Sequence, residues 1–143
     1  MAATVDNRPS GSGMPFVGQP GVSRIQRRVD FSATGMALIK DATMALLDVP
    51  AGSVVFGAEI LVNTAQAAIT DIDLGLNATG ATNTTLKETV SLAATGYPTG
   101  STDALAAPIH VKANTQLVVT NTVATTISTA DVTFILIISY PKQ

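Results

Sequence analysis

Three groups of residues carry the side chains with which this chain could do chemistry or hold a charged partner. They are a single histidine, a pair of carboxylates and a cluster of arginines: His110; Asp71 and Asp73; Arg24, Arg27 and Arg28. The chain has no cysteine. Disulfides, cysteine-ligated metal sites and Cys/His catalysis are therefore excluded at the outset.

His110 stands in the segment Pro108-Ile109-His110-Val111-Lys112, with no second histidine anywhere to share a metal ion. A serine nucleophile would have to use this one imidazole as its base, and no G-x-S-x-G elbow is present. Neither glycine-rich nucleotide motif occurs. We therefore expect no enzyme: no catalytic residue, no metal site and no cofactor.

Asp71 and Asp73 lie two residues apart, so on a strand they share one face. That spacing could offer two oxygens to a divalent cation, or an acid and a base to a reaction. The calcium-loop pattern fails, because no third acidic residue with a glycine and a distal glutamate follows. The pair indicates the solvated side of a half-buried strand.

The run Arg24-Ile25-Gln26-Arg27-Arg28 is the one basic patch of the sequence. Arginines so close together could neutralise phosphates or dock on an acidic protein groove. The chain as a whole carries a net charge of −2, with 4% aromatic residues and no tryptophan. It therefore lacks the positive charge and the base-stacking aromatic residues that are typical of nucleic-acid-binding proteins. Arg24, Arg27 and Arg28 are therefore candidate residues for docking on another protein, and no nucleic-acid partner is expected.

The elements that carry these groups belong to a chain of 143 residues, the size of one typical domain. Charged residues make up only 13% of it and hydrophobic residues 46%, against a usual charged share of about 25%. A surface with so few charges exposes apolar or Thr/Ala-covered faces, and contiguous faces of that kind mark association sites. We expect a homo-oligomer.

Residues 1–21 are dense in glycine, proline and serine, which break both helix and strand, and predict a flexible N-terminal arm. Residues 22–143 are expected to form one domain. The N-terminus has no apolar stretch behind a basic start, and the longest apolar run, Phe134 to Ile138, is too short for a membrane helix. The sequence therefore predicts a soluble, unexported protein with no membrane partner.

The domain reads as all-β, because short segments rich in Val, Ile, Leu and Thr alternate with turn residues. Ala130 to Tyr140 is apolar on both faces and predicts a central strand, whereas Ala68 to Leu76 alternates and predicts a half-buried one. A hairpin is expected around Pro50-Ala51-Gly52, with proline at the second turn position. Four more strands are predicted: Val22 to Phe31, Gly35 to Asp41, Leu105 to Lys112 and Gln116 to Thr122. Helix evidence is thin and confined to Thr84 to Leu92, where Thr and Val leave at most a turn or two. The fold class predicted is a single antiparallel β-sandwich.

The segment from Leu46 to Val55, with its Asp48-Val49-Pro50-Ala51-Gly52 turn, and the strand Ile69-Thr70-Asp71-Ile72-Asp73-Leu74-Gly75 resemble the small capsid decoration, or cement, proteins of tailed bacteriophages. The resemblance covers roughly Val29 to Tyr140. It implies a jelly-roll-like sandwich that forms a homotrimer, binds the major capsid protein on the outer surface of the virion and stabilises the shell. It also implies synthesis in the host cytoplasm, and it assigns no site residues.

Two other functions stay open on the sequence. The first is another β-type virion component: a head fibre base, a tail tube or a host-binding module. The second is a carbohydrate-binding jelly roll, which would normally display aromatic stacking residues or a histidine-rich metal cluster. Two tyrosines, Tyr97 and Tyr140, and one histidine do not favour that role.

Overall fold

The computed structural model describes residues 21–77, 84–98 and 108–141. Within these ranges the chain forms strands and no helix, so it contains no helix long and apolar enough to cross a membrane. The strands are β1 Ser23–Asp30, β2 Thr43–Val49, β3 Val54–Thr64, β4 Ile72–Asn77, β5 Thr84–Val90, β6 Ile109–His110, β7 Thr115–Asn121 and β8 Asp131–Ser139. The predicted all-β class is confirmed.

The strands form two antiparallel sheets of four, in the orders β1-β8-β3-β6 and β2-β7-β4-β5. We call them the first and the second sheet. β1 pairs with β8, β2 with β7, β3 with β6 and β4 with β5. Each of the first four strands therefore pairs with one of the last four, in reverse order. This is the arrangement of an eight-stranded jelly roll. The predicted β-sandwich is confirmed.

The core lies between the two sheets and is centred on β8, which pairs with both β1 and β3. Its residues Val132, Phe134 and Leu136 are completely buried, as the alternation of this strand predicts. Leu117 and Val119 of β7 are equally buried and come from the second sheet. Each such side chain contributes about 1.5–3 kcal/mol by leaving water, so these central strands supply much of the stability.

The predicted hairpin around Pro50 is wrong. A turn is present, with Ser53 N–H donating to the carbonyl of Pro50 at 3.2 Å and Gly52 at φ +90°. Proline is thus the first residue of the turn rather than the second, and glycine occupies the third position, where a positive φ is required. β2 and β3 do not pair but enter different sheets, because local turn chemistry does not specify which strands hydrogen-bond across the fold.

Two further segments differ from prediction, and the predicted strand Ala68 to Leu76 begins only at Ile72, as β4. The segment Gly35 to Asp41 is a loop with one isolated bridge, Leu38 to Ile127, because Gly35 and Asp41 have positive φ values of 80° and 64° that interrupt an extended backbone. The segment with the thin helix signal, Thr84 to Leu92, contains β5 instead, which pairs with β4 and packs Leu86 and Val90 in the core. Its weak helix propensity yields to that burial.

Parts of the predicted organisation lie outside the described residues. The flexible arm falls almost wholly in residues 1–20, and the first part of the predicted strand Leu105 to Lys112 falls in residues 101–107. Within the described part of that strand only Ile109–His110 is extended, as β6. The arm and the boundary at residue 22 stay predictions.

Candidate functional site

The outward-facing side of the first sheet brings together charged and apolar side chains on three adjacent strands. Strand alternation and the pairing register place one row from each strand on this side. The rows are Arg24, Gln26 and Arg28 along β1, with Val22 just before the strand in the same alternation; Asp131, Thr133, Ile135 and Ile137 along β8; Gly57, Glu59 and Leu61 along β3. We call this surface the outer face of the first sheet.

Arg28 and Asp131 form an ion pair at one end of this face. Arg28 Nε donates to Asp131 Oδ1 at 2.9 Å, and Nη2 donates to Oδ2 at 2.5 Å, a two-point contact that fixes both side chains. The hydrogen bond from Arg28 holds the pKa of Asp131 below its usual value, although partial burial opposes the shift. The same contact raises the pKa of Arg28. Both groups therefore stay charged at neutral pH.

Arg24 and Glu59 form a second ion pair that spans the central strand, with Arg24 Nη2 2.6 Å from Glu59 Oε1. Arg24 stands opposite Ile137 of β8, and Glu59 stands opposite Ile135 on its other side. The pair therefore crosses over β8 beside these two isoleucines. Ile135 is only 3% exposed although it points away from the core.

Apolar side chains lie along this face, with Val22, Phe56 and Ile137 near the start of β1 and Leu61 toward its end. Val22 is 59% exposed and Phe56 is 42% exposed, while Ile137 and Leu61 are half-buried. Phe56 sits in a bulge of β3, where the register shifts between Val55 and Gly57. Bulges re-aim side chains next to functional surfaces. The outer face of the first sheet is thus an amphipathic surface on a rigid sheet.

The three predicted docking arginines do not form one cluster. Arg24 and Arg28 lie on the outer face of the first sheet, whereas Arg27 points to its other side, as alternation requires. Arg27 Nη1 lies 3.5 Å from the carbonyl oxygen of Leu46, at the edge where β1 lies beside β2. Arg27 therefore contacts the second sheet, and only Arg24 and Arg28 share a surface.

The other two predicted groups are separated from this face. His110 is exposed on β6, opposite Val54. Asp73 accepts a hydrogen bond from the backbone N–H of Thr89 at 3.0 Å, and so supports a residue held at φ +55°. In residues 21–77, 84–98 and 108–141, no group of three His, Cys, Asp or Glu side chains could hold a metal ion.

Sequence reasoning missed Gln66, which organises the loop before β8. Its side-chain oxygen accepts hydrogen bonds from three successive backbone N–H groups, at 2.9 to 3.3 Å: Ser128, Thr129 and Ala130. Its amide nitrogen donates to the carbonyl of Thr126 at 2.9 Å. A single glutamine in a loop gives no sequence signal of this role, because its four partners are 60 to 64 residues away.

Asn121 has the same role at the end of β7, and it is completely buried. Its side-chain nitrogen donates to the carbonyls of Leu38 and Thr125, each at 2.9 Å, and its oxygen accepts from the N–H of Val123 at 3.0 Å. Buried amides with all partners satisfied make a loop specific and rigid. Gln66 and Asn121 thus fix the loops at one end of the sandwich.

Comparison with known proteins gives structural matches but no sequence match. No protein-family model matches the chain, and no curated protein matches it significantly. A chain in the capsid asymmetric unit of cyanophage Pam1 superposes with a TM-score of 0.53 at 14% identity, covering 96% of this chain and 98% of that one. A chain in the acidic stable capsid structure of Helicobacter pylori bacteriophage KHP30 superposes with a TM-score of 0.52 at 14% identity, covering 82% and 86%.

This chain has the fold of those two chains. The superposition with the cyanophage chain runs over almost the full length of both, so the two chains are nearly equal in size. The match therefore spans nearly all of that chain. The jelly-roll topology read from the strand pairing agrees with it.

Proposed function

We propose that this chain is a capsid decoration, or cement, protein of a tailed bacteriophage. It binds the outer surface of the major capsid shell and stabilises it by contact, without turnover. The observation that carries the proposal is the near-complete superposition on a small chain of a cyanophage capsid structure. The match to a chain of a second phage capsid structure supports it.

The outer face of the first sheet is the surface proposed to dock on the shell. Apolar Phe56 and Val22 would supply buried area, and the arginines would supply orientation. The side chain of Arg28 is 68% exposed even though it holds Asp131, so part of its guanidinium still faces solvent. A guanidinium has five N–H donors, which leaves Arg28 able to bind a shell carboxylate or carbonyl as well.

The ion pairs prepare this face for binding. Arg24 and Arg28 are each held by a carboxylate on a strand of the same sheet, so fewer rotamers remain to be fixed when a partner arrives. Arg27 is turned toward Leu46 and is proposed to act mainly at the sheet edge. The docking role of all three arginines is part of this proposal.

The protein acts as a homo-oligomer, proposed to be a trimer, with residues 1–21 extending as an arm along the shell. Several weak contacts on one assembly raise the overall affinity strongly, because each later contact forms within the same complex. A charged share of only 13% is consistent with protomer faces that are covered by other protein surfaces.

The proposal is tested with purified protein and with phage capsids that lack it. Light scattering gives the mass of the full chain and of a form beginning at Val22, and each form is then mixed with the capsids and sedimented. We expect a trimer that cosediments with capsids and raises their thermal stability. A monomer that neither binds capsids nor protects them would refute the proposal.

A matched set of variants then tests the docking face. Replacing Arg24 and Arg28 together by alanine should weaken cosedimentation, whereas Arg27→Ala should have the smaller effect because its side chain lies against Leu46. Circular dichroism confirms that each variant is folded. Equal effects of the double and the single change would contradict docking through the outer face of the first sheet.

A further inference from the structure

A cleft of about 540 Å³ opens at the end of the sandwich that carries the Pro50 turn. That volume lies within the range of small-molecule sites, about 300–1,000 Å³. Its described lining consists of polar side chains and two apolar residues of β2 and the turn: Asp48, Asn77, Asn114, Thr115 and Gln116; Val49 and Pro50. None of these residues belongs to the outer face of the first sheet.

Three of the polar residues form a straight row across the second sheet. Gln116 of β7 stands opposite Asp48 of β2 on one side and opposite Asn77 of β4 on the other. Each has a neighbour on its own strand that packs on the core: Leu47, Leu117 and Leu76. Because successive side chains of a strand point to opposite faces, the row of Asp48, Gln116 and Asn77 points away from the core. Neighbouring strands lie about 4.8 Å apart, so the row is about 10 Å long and as rigid as the sheet.

Hydrogen bonds hold this lining in place. Gln116 Nε2 donates to Asp48 Oδ1 at 3.1 Å. Asn114 Oδ1 accepts from the backbone N–H of Ala51 at 2.9 Å and so joins the cleft to the Pro50 turn. A further hydrogen bond, from Gly52 N–H to the carbonyl of Val111 at 2.7 Å, holds the Pro50 turn in place. A ligand would therefore meet polar groups that are already oriented.

The chemistry of the lining selects the class of ligand. Asp48 is the one carboxylate in the described lining, and hard cations such as Ca²⁺ need several charged oxygens, so a metal is a poor fit. An adjoining depression of about 190 Å³ is lined by Asp48, Gln116 and Arg27, so the described linings of the two together carry one carboxylate and one guanidinium and no net charge. Charged ligands of either sign therefore gain little.

Carboxamide side chains both donate and accept hydrogen bonds, and a carboxylate accepts hydrogen bonds from two donors at once. These groups suit a neutral ligand that carries many hydroxyl groups. We propose that this cleft binds a neutral saccharide, with Asp48, Asn77 and Gln116 as its hydrogen-bonding residues. No aromatic residue stacks in the described lining, so we expect weak affinity for one or two sugar rings and firm attachment only through several copies.

The saccharide-binding row lies away from the outer face of the first sheet, and of the proposed docking arginines only Arg27 reaches the adjoining depression. The row of Asp48, Gln116 and Asn77 lies on the outward side of the second sheet, and the proposed docking face lies on the outward side of the first. Saccharide binding by the isolated protein requires no capsid. Failure of one proposal is therefore distinguishable from failure of the other.

The test is a two-dimensional NMR titration of the isotope-labelled full chain with four neutral disaccharides: maltose, lactose, mannobiose and chitobiose. Side-chain amide signals of Asn77, Asn114 and Gln116 report directly on the cleft. We expect at least one disaccharide to give saturable shifts there, and Gln116→Ala to weaken its binding by at least about tenfold. Gln26→Ala, which removes an exposed glutamine from the first sheet, is the matched control and should leave binding unchanged.

Three results would overturn the proposal. One is the absence of saturable shifts with all four disaccharides. Another is binding that Gln116→Ala and Asp48→Asn both leave intact while thermal melting shows the variants folded. The third is a saturable response of the same signals to Ca²⁺ or to inorganic phosphate without any response to sugars, which would assign the cleft to an ion.

Discussion

Arg28 and Asp131 are 103 residues apart in sequence, and their side chains form a two-point ion pair between the first and the last strand of the sandwich. The backbones run antiparallel beside it, with Arg28 opposite Thr133 and Asp131 opposite Asp30. The ion pair therefore lies diagonally across the β1 and β8 pairing. It fixes a charged corner on the face that we propose to dock on the shell.

Asp131→Asn should lower stability near neutral pH and remove part of its acid dependence. The pKa of Asp131 lies below its usual value in the folded state, so the folded protein binds fewer protons than the unfolded chain. The stabilisation from the ion pair is therefore present above the ordinary aspartate pKa. It is lost as the pH falls through the lower pKa of the folded state. Urea unfolding at about pH 7 and about pH 3 measures this. The difference between wild type and variant should shrink at the lower pH. A difference that stays constant would show that the ionic contact is not its cause.

Gly52→Ala should destabilise the protein by about 1–2 kcal/mol, because Gly52 has a φ of +90° that an L-residue with a side chain adopts only at a cost. An added Cβ would also stand 3.1 Å from Cβ of Pro141. Gly57→Ala is the control, since an added Cβ there meets nothing within 4 Å. Thermal unfolding of both variants checks this, and equal melting temperatures would contradict it.

Asn121→Ala should cost about 1–3 kcal/mol, because it removes the buried amide that donates to the carbonyls of Leu38 and Thr125 and accepts from the N–H of Val123. Asn63→Ala removes an exposed asparagine that donates to Thr133 Oγ1 and also hydrogen-bonds to Asp131, and it should cost less than about 1 kcal/mol. Urea unfolding compares the two. Hydrogen exchange should also show loss of protection in the loop between β7 and β8 of the first variant. A small, equal cost for both would refute the role of Asn121.

Phe56→Ser should weaken capsid binding by at least about tenfold, because exposed aromatic residues that become buried in an interface carry much of its binding energy. The matched control is Tyr97→Ser, since Tyr97 is 62% exposed but follows Gly96, which bridges to Val62 toward the other end of β3. Cosedimentation measures the binding. The free energy of unfolding should change by less than about 0.5 kcal/mol in the control. If Tyr97→Ser had the larger effect, the docking surface would lie at the loop end instead.

Strand positions with a clear two-residue period were predictable from the sequence. The pattern from Val132 to Ile138 indicates a central strand, and β8 is one. The same period contained a signal about the arginines, because residues 24 and 28 share a face on any strand and residue 27 does not. The docking cluster was proposed as a contiguous run, and the alternation of β1 separates it.

Elements whose structure depends on distant partners were not predictable. The segment Thr84 to Leu92, with its thin helix signal, had no strong local preference, and pairing with β4 decided its conformation. The Pro50-Ala51-Gly52 turn was specified by its residues, but the strands on either side of it enter different sheets. The sequence by itself therefore determined the β class, the central strand and the turn, since these follow from local periodicity and backbone preference. Only the tertiary structure decided the jelly-roll pairing, the ion pairs of Arg24 and Arg28, and the amide network of Gln66 and Asn121, because each joins residues that meet only after the two sheets have packed together.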